Sequence, residues 1–237
     1  EAVLRKLWDN YYVPYVNGYF AAYGKFRSDD AKTGDIIALV GSTSGAAYFP
    51  DKVTVNDTES YPIETYVMAP PVFEGGEKVA VQQGAGMVVS KSTEQKEYAS
   101  VEFLKWLTDK ERNIDFSIST GYMPVKQSAN DLSLIEQALK KLEDSAVTRN
   151  LTAALPVGVE MTKDHTMYTS KAFEDGTAAR AVLEDSMQKQ AAADREQVLK
   201  LLSEGKSQQE AVARFVTDES FQAWYQSFQS ELMQLVK

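Results

Sequence analysis

The sequence predicts an α/β or α+β domain with its strands early and its helices late. Short apolar runs bounded by glycine fall in the first part of the chain, and apolar residues at helical spacing dominate the rest. The composition supports a packed protein: 43% of the 237 residues are hydrophobic and 25% charged, which is close to the globular norm. A chain of this size forms one large domain or two small ones.

Val3, Leu4, Leu7, Trp8 and Tyr11 recur at helical spacing, so Glu1 to Tyr12 reads as an amphipathic helix ended by Pro14. An aromatic-rich loop follows from Tyr15 to Phe26. Asp35 to Gly41 (DIIALVG) reads as a buried strand. Ser42, Thr43 and Ser44 come next, where hydroxyls can cap a helix through Ala46, Ala47 and Tyr48. Tyr61 to Pro71 alternates as a strand does, and Glu74 to Glu77 (EGGE) is a turn signal. Val79 to Val81 and Met87 to Val89 read as further strands. Between them Gly84 and Gly86 allow close backbone approach.

Ser92 to Asp109 is the clearest helix. Ser92 and Gln95 make a capping box, and Val101, Phe103, Leu104 and Leu107 form its buried stripe. A second capping box, Thr108 with Glu111, starts a helix through Ile114, Phe116 and Ile118. Gly121 to Val125 breaks that pattern. Leu132, Ile135, Leu139 and Leu142 mark another helix, and Pro156 to Phe173 reads as a looser region. A long helix then carries Arg180, Leu183, Met187 and Val198 to Leu202. Gly205 stops it, Ser207 with Glu210 caps the next, and Phe221 to Val236 closes the chain as an amphipathic helix. Trp8, Trp106 and Trp224 lie among apolar residues and read as core or interface.

Several function classes are set aside. The net charge is -9 and no basic stripe is present, so nucleic-acid binding is not expected. With no cysteine there is no disulfide, thiolate metal site or cysteine nucleophile. No apolar run reaches the roughly 18 residues of a membrane span. The chain opens at Glu1 without Met or a signal peptide, so a leader has been removed or the chain is cut. Gly41 to Gly45 (GSTSG) has the outline of a nucleophile elbow, but its central residue is Thr43 rather than Ser. His165 is the only histidine and is expected in an exposed loop. No enzyme, no cofactor and no metal site is expected.

Five segments, in order, resemble the extracellular solute-binding proteins that serve carbohydrate ABC importers, the relatives of maltodextrin-binding and glycerol-3-phosphate-binding proteins. Gly34 to Gly45 (GDIIALVGSTSG) looks like the family strand that ends in a ligand-facing Gly-Ser loop. Gly84 to Ser90 (GAGMVVS) is similar to the crossover strand between lobes. Tyr98 to Thr108 (YASVEFLKWLT) looks like the helix written aa-eFlkwLt, the most specific of the five. Thr120 to Val125 (TGYMPV) resembles the tGylPv turn. Arg180 followed by Gly205 to Ala211 (GKSQQEA) resembles the closing helices, with Gln190 to Gln197 looking like an insertion.

The resemblance implies a periplasmic-binding-protein-like fold of type II, present mainly as its C-terminal lobe. Residues 1–82 would be the first part of that lobe. Residues 83–123 would be a crossover or hinge with an N-terminal-lobe element, and residues 124–237 the lobe's helices. It implies a receptor, extracellular or periplasmic and lipoprotein-anchored when intact. The receptor would capture a sugar, oligosaccharide or glycerol phosphate and pass it to a membrane permease. Two lobes of such a receptor close on the solute, with ring faces and fixed polar groups holding it. The expected ligand residues are Ser42, Thr43, Ser44, Gly84, Gly86, Tyr122 and Arg180, with Tyr48 and Phe173 as weaker stacking candidates. Each also has a plainer reading: an N-cap for the hydroxyls, a tight turn for the glycines, a packed ring for Tyr122 and a surface arginine for Arg180. A chain lacking its other lobe exposes apolar surface, so a dimer through that face is expected. The alternative function is a non-catalytic protein-interaction module with a helical C-terminus.

Overall fold

The computed structural model describes residues 1–235. In chain order the elements are α1 (Ala2–Leu7), a π-helical turn (Trp8–Tyr12), α2 (Val13–Asn17), α3 (Arg27–Thr33), a 3-10 turn (Ser44–Tyr48), β1 (Lys52–Thr54), β2 (Ser60–Pro62), β3 (Val79–Val81), α4 (Glu94–Leu107) and α5 (Lys110–Thr120). A second 3-10 turn (Gln127–Ala129), α6 (Leu132–Leu139), α7 (Ala146–Asp164), β4 (Thr166–Tyr168), α8 (Gly176–Ser203), α9 (Gln208–Val212) and α10 (Asp218–Leu235) follow. These form two compact units. One joins Glu1–Tyr23 to Lys171–Lys237, and the other is Gly24–Ser170.

The first unit is helical. Trp8, Tyr12 and Val16 from the N-terminal segment pack with Met187, Ala191 and Val198 of α8 and with Phe221, Trp224 and Phe228 of α10. Trp8 is 1% exposed, and its ring stacks on Tyr12 with centroids 3.6 Å apart and an interplanar angle of 19°. The core reading of Trp8 and Trp224 therefore holds. The Tyr12 hydroxyl, buried in this core, donates to Asp194 Oδ2 at 2.6 Å, and Gln190 Nε2 donates to the same oxygen at 2.7 Å. Gln190 to Gln197 lies within unbroken α8.

Pro14 does not end the first helix. It occupies the first turn of α2, where its missing N–H costs little. The π turn before it widens the helix, with Val13 N–H reaching Trp8 O. Gly18, at φ +84°, is the actual stop. Gly205 and the Ser207–Glu210 capping box stand where expected. In the closing helix, Val236 lies outside the described residues.

In the second unit, Ile114 and Ile118 of α5, Ile135 and Leu139 of α6, and Leu151, Leu155 and Val159 of α7 make the core. The unit also holds two small sheets. β1 pairs antiparallel with β2, Val53 opposite Tyr61, and β3 pairs parallel with β4, Ala80 opposite Met167.

Several expected strands are not formed. Asp35 to Gly41 and Met87 to Val89 form no strand among the described residues, and of Tyr61 to Pro71 only Tyr61 and Pro62 join β2. Ile37 is 101% exposed. An apolar run marks a segment suited to burial, but a strand exists only where a neighbour takes up its N–H and C=O groups.

The stripe of α4 is also uncovered. The helix buries no residue, and Trp106 is 54% exposed, which leaves the interface reading and removes the core one. Its cap is Thr93, whose hydroxyl accepts from Lys96 N, while Ser92 N–H donates to Glu97. Asp109 precedes α5 in place of the expected Thr108 cap, because the Thr108 hydroxyl donates back to Leu104 O. The region from Pro156 is not loose: α7 runs through Pro156 to Asp164, held by the buried side chains on either side of it, and β4 follows.

Candidate solute-binding site

The site forms in the second unit, where the Ser42–Ser44 segment meets the turn after α5. Gly121 adopts φ +77°, which ends α5 and reverses the chain. A Cβ there would fall 2.7 Å from Thr43 O and 2.8 Å from Ser44 Cα. Only glycine permits this approach of two backbones. Gly158 of α7 plays a similar part below: a Cβ would meet Thr43 Cγ2 at 2.9 Å and Met123 Sδ at 3.0 Å.

Side-chain amides hold both segments. Asn150 of α7 donates to Phe49 O at 2.8 Å, fixing the end of the 3-10 turn. Asn113 Oδ1 accepts from Val125 N at 2.7 Å, and Asn130 Nδ2 donates to Pro124 O at 2.6 Å. The Gly121–Val125 turn is thus tied to α5 and to the segment that follows it. These three asparagines were not singled out from the sequence, because an amide's anchoring role depends on which carbonyl the fold brings to it.

Ser42, Thr43 and Ser44 do not link a strand to an α-helix. They open a five-residue 3-10 turn, and Thr43 caps it without a side-chain bond. One such turn has little dipole. The usable groups are hydroxyls: Ser42 Oγ lies 3.1 Å from Ser44 Oγ and accepts from Gly45 N at 3.2 Å. Tyr122, next in the chain after Gly121, is 42% exposed, with its ring 6.2 Å from that of Phe116 at an interplanar angle of 28°.

The fold therefore brings Thr43 and Ser44 to Gly121, the residue before Tyr122, with Ser42 hydrogen-bonded to Ser44. It does not bring Gly84 and Gly86 to them. Both glycines are exposed, with open space where a Cβ would be. Arg180 belongs to the other unit, in the second turn of α8, where its guanidinium lies 5.7 Å from the Phe173 ring centroid. Tyr48 is exposed at the end of the 3-10 turn.

His165 is not in an exposed loop. Its side chain is 4% exposed, and Nδ1 lies 2.5 Å from Asp164 Oδ1. Lys78 Nζ binds the other carboxylate oxygen at 2.9 Å. The hydrogen bond from Lys78, then the one from His165, holds the Asp164 carboxyl below the usual carboxylate range. Among the described residues no group of three or more His, Cys, Asp or Glu side chains converges as a metal site. No helix among them is long and apolar enough to cross a membrane.

Comparison with known proteins gives one result that bears on this site. The family model for bacterial extracellular solute-binding protein matches residues 2–144, more than half of the chain. The match contains Ser42–Ser44, Gly84, Gly86 and Tyr122 and stops short of Arg180. No curated protein and no solved structure gives a significant match. Members of this family are typically non-catalytic, binding a solute outside the cell for transport. The hydroxyl and ring groups gathered around Gly121 suit that task. The chain belongs to the bacterial extracellular solute-binding protein family.

Proposed function

We propose that the chain is the binding component of an ABC importer, capturing a carbohydrate or a related polyol or glycerol phosphate and delivering it to the membrane permease. The observation that carries this reading is the packing of Thr43 and Ser44 against the Gly121–Tyr122 turn inside the family match. It sets a hydroxyl-bearing segment against the backbone turn that carries an exposed ring. A sugar needs both, since its C–H face stacks on an aromatic ring and its hydroxyls take directional hydrogen bonds.

The chain supplies mainly the C-terminal lobe of a type II periplasmic-binding-protein fold. Residues 1–82 are its first part, 83–123 the crossover and an N-terminal-lobe element, and 124–237 its helices. What supports this is apolar surface with no cover: the unpaired segments 35–41 and 87–89 and the open stripe of α4. In the intact receptor Gly84 and Gly86 lie beside the hinge, and a lipid holds the protein at the membrane surface.

The test is a thermal-shift screen of the intact receptor against sugars, oligosaccharides, polyols and glycerol phosphates. A ligand that binds only the folded state raises the melting temperature, by an amount set by its concentration over Kd. A rise with one class establishes the receptor and its cargo. No rise with any class moves the function to the protein-interaction alternative.

A further inference from the structure

We infer that the pocket between α7, Ala69 and His165 is a second binding site, one that takes a free, uncharged aromatic molecule with a single hydrogen-bond donor, an indole or a phenol. It shares no residue with the Ser42–Ser44 and Tyr122 site and goes beyond the solute-binding reading. α7 has two apolar faces. Leu151, Leu155 and Val159 pack into the core of the second unit. Val157, Glu160, Met161 and Asp164 recur at the i, i+3, i+4, i+7 spacing of another face. Together with Pro156, Ala69 and His165, that face lines an open pocket of about 290 Å³, which is at the small end of ligand sites. Pro156, Val157 and Met161 are only half-buried, so the core does not account for them.

The polar end of the pocket is one ring nitrogen. His165 caps the C-terminus of α7, its N–H bonding Met161 O, and its side chain is 4% exposed. Nδ1 lies 2.5 Å from Asp164 Oδ1. A carboxylate has no proton to give, so Nδ1 carries the one in this bond, and in the neutral ring Nε2 is left as an acceptor. Nε2 has no hydrogen-bond partner among the described residues. It is not sealed either, since the fully buried side-chain nitrogens without a partner are those of Trp8 and Trp224. The charges at the rim are paired with their own neighbours, Glu160 with Lys163 at 2.7 Å and Asp164 with Lys78 at 2.9 Å. A charged ligand therefore gains no free counter-ion. A flat apolar ring covers Val157 and meets the Met161 sulfur, and its N–H or O–H satisfies Nε2.

The experiment uses the full chain without a tag, at about pH 8, where an imidazole is ordinarily neutral. Indole and phenol are the probes, indene is the isostere without a donor, and indole-3-acetate is the charged comparison. His165 is the only histidine, so nitrogen NMR of the imidazole reports this site alone. Indole should shift the Nε2 signal while Nδ1 keeps its proton. Indole should also bind about three- to tenfold more tightly than indene, the worth of one hydrogen bond. His165→Phe should remove that difference, and Met161→Trp, which fills the pocket, should abolish binding of both. If either variant fails to fold, the indole and indene comparison and the Nε2 signal in the wild type carry the test. Equal binding of indole and indene, indole binding that leaves Nε2 unchanged, or tighter binding of indole-3-acetate overturns the site. So does indole binding that is lost in Tyr122→Ala, which places the ligand at the other site. Absence of binding by both indole and phenol overturns it as well, and none of these outcomes touches the transport function.

Discussion

At the residue scale, the two backbones of the site meet at Gly121. Gly121→Ala adds strain at φ +77° and sets a methyl 2.7 Å from Thr43 O, which belongs to rigid backbone. We expect a loss of about 2–4 kcal/mol in unfolding free energy by urea titration, together with loss of solute binding. Gly205→Ala is the control. Its φ is +89° but nothing lies within 4 Å, so the cost should be only about 1 kcal/mol, from the backbone alone.

Tyr12 carries the second prediction at this scale. Burial, then the hydrogen bond to Asp194, raises its pKa well above the ordinary value of 10.0. The folded state therefore keeps a proton that the unfolded chain releases. The stabilisation is complete below about pH 10 and declines as pH rises past it, by about 1.4 kcal/mol per unit. Tyr12→Phe should remove this part of the alkaline slope. At pH 7 it should cost about 1–3 kcal/mol, because Asp194 keeps Gln190 but loses its shorter donor. Urea midpoints at pH 7, 9 and 10.5 check both statements, and an unchanged slope would place the alkaline loss on another tyrosine.

At the element scale, α4 behaves differently from its neighbours. α5 and α7 bury one face each, and their truncation should be costly: Leu155→Ala, at a fully buried position, should lose about 2–5 kcal/mol. α4 buries nothing. Replacing Phe103 by Ser and Trp106 by Gln should change the unfolding free energy of the chain by less than about 0.5 kcal/mol. The same pair should reduce self-association in sedimentation velocity, because the apolar stripe is what a second molecule would cover. A large loss of stability with no change in association would mean that α4 is packed in solution.

At the scale of the whole molecule, the exposed area is the informative quantity. The chain exposes 16487 Å², whereas a folded monomer of 26.3 kDa exposes about 10,600 Å². Two separate bodies in the proportions of the two units would expose about 12,700 Å² by the same scaling. The excess is several times one side of a standard interface, about 800 Å². We therefore expect the chain to bind a hydrophobic dye and to dimerise at high concentration. A monomer by light scattering at high concentration would count against an apolar face that a second molecule covers. The first unit has its own aromatic core, so a chain joining Tyr23 to Lys171 by a flexible linker should fold with helical circular dichroism and a cooperative melt.

By itself the sequence determined where apolar faces fall and where the chain must turn. The helix stop at Gly205, the Ser207 cap and the break at Gly121 depend on a few neighbouring residues, so local chemistry was sufficient. The Ser42–Ser44 and Tyr122 candidates came from the same kind of signal, aided by the family resemblance. Only the tertiary structure decided the rest. Whether Asp35 to Gly41 is a strand depends on a partner's hydrogen bonds, and whether the stripe of α4 is core depends on what covers it. Pro156 stays inside a helix because long-range burial of Leu155 and Val159 outweighs a local breaker. The meeting of Thr43 with Gly121 joins residues far apart in sequence, and no local pattern specifies such a contact, since it arises only when separate elements share one core.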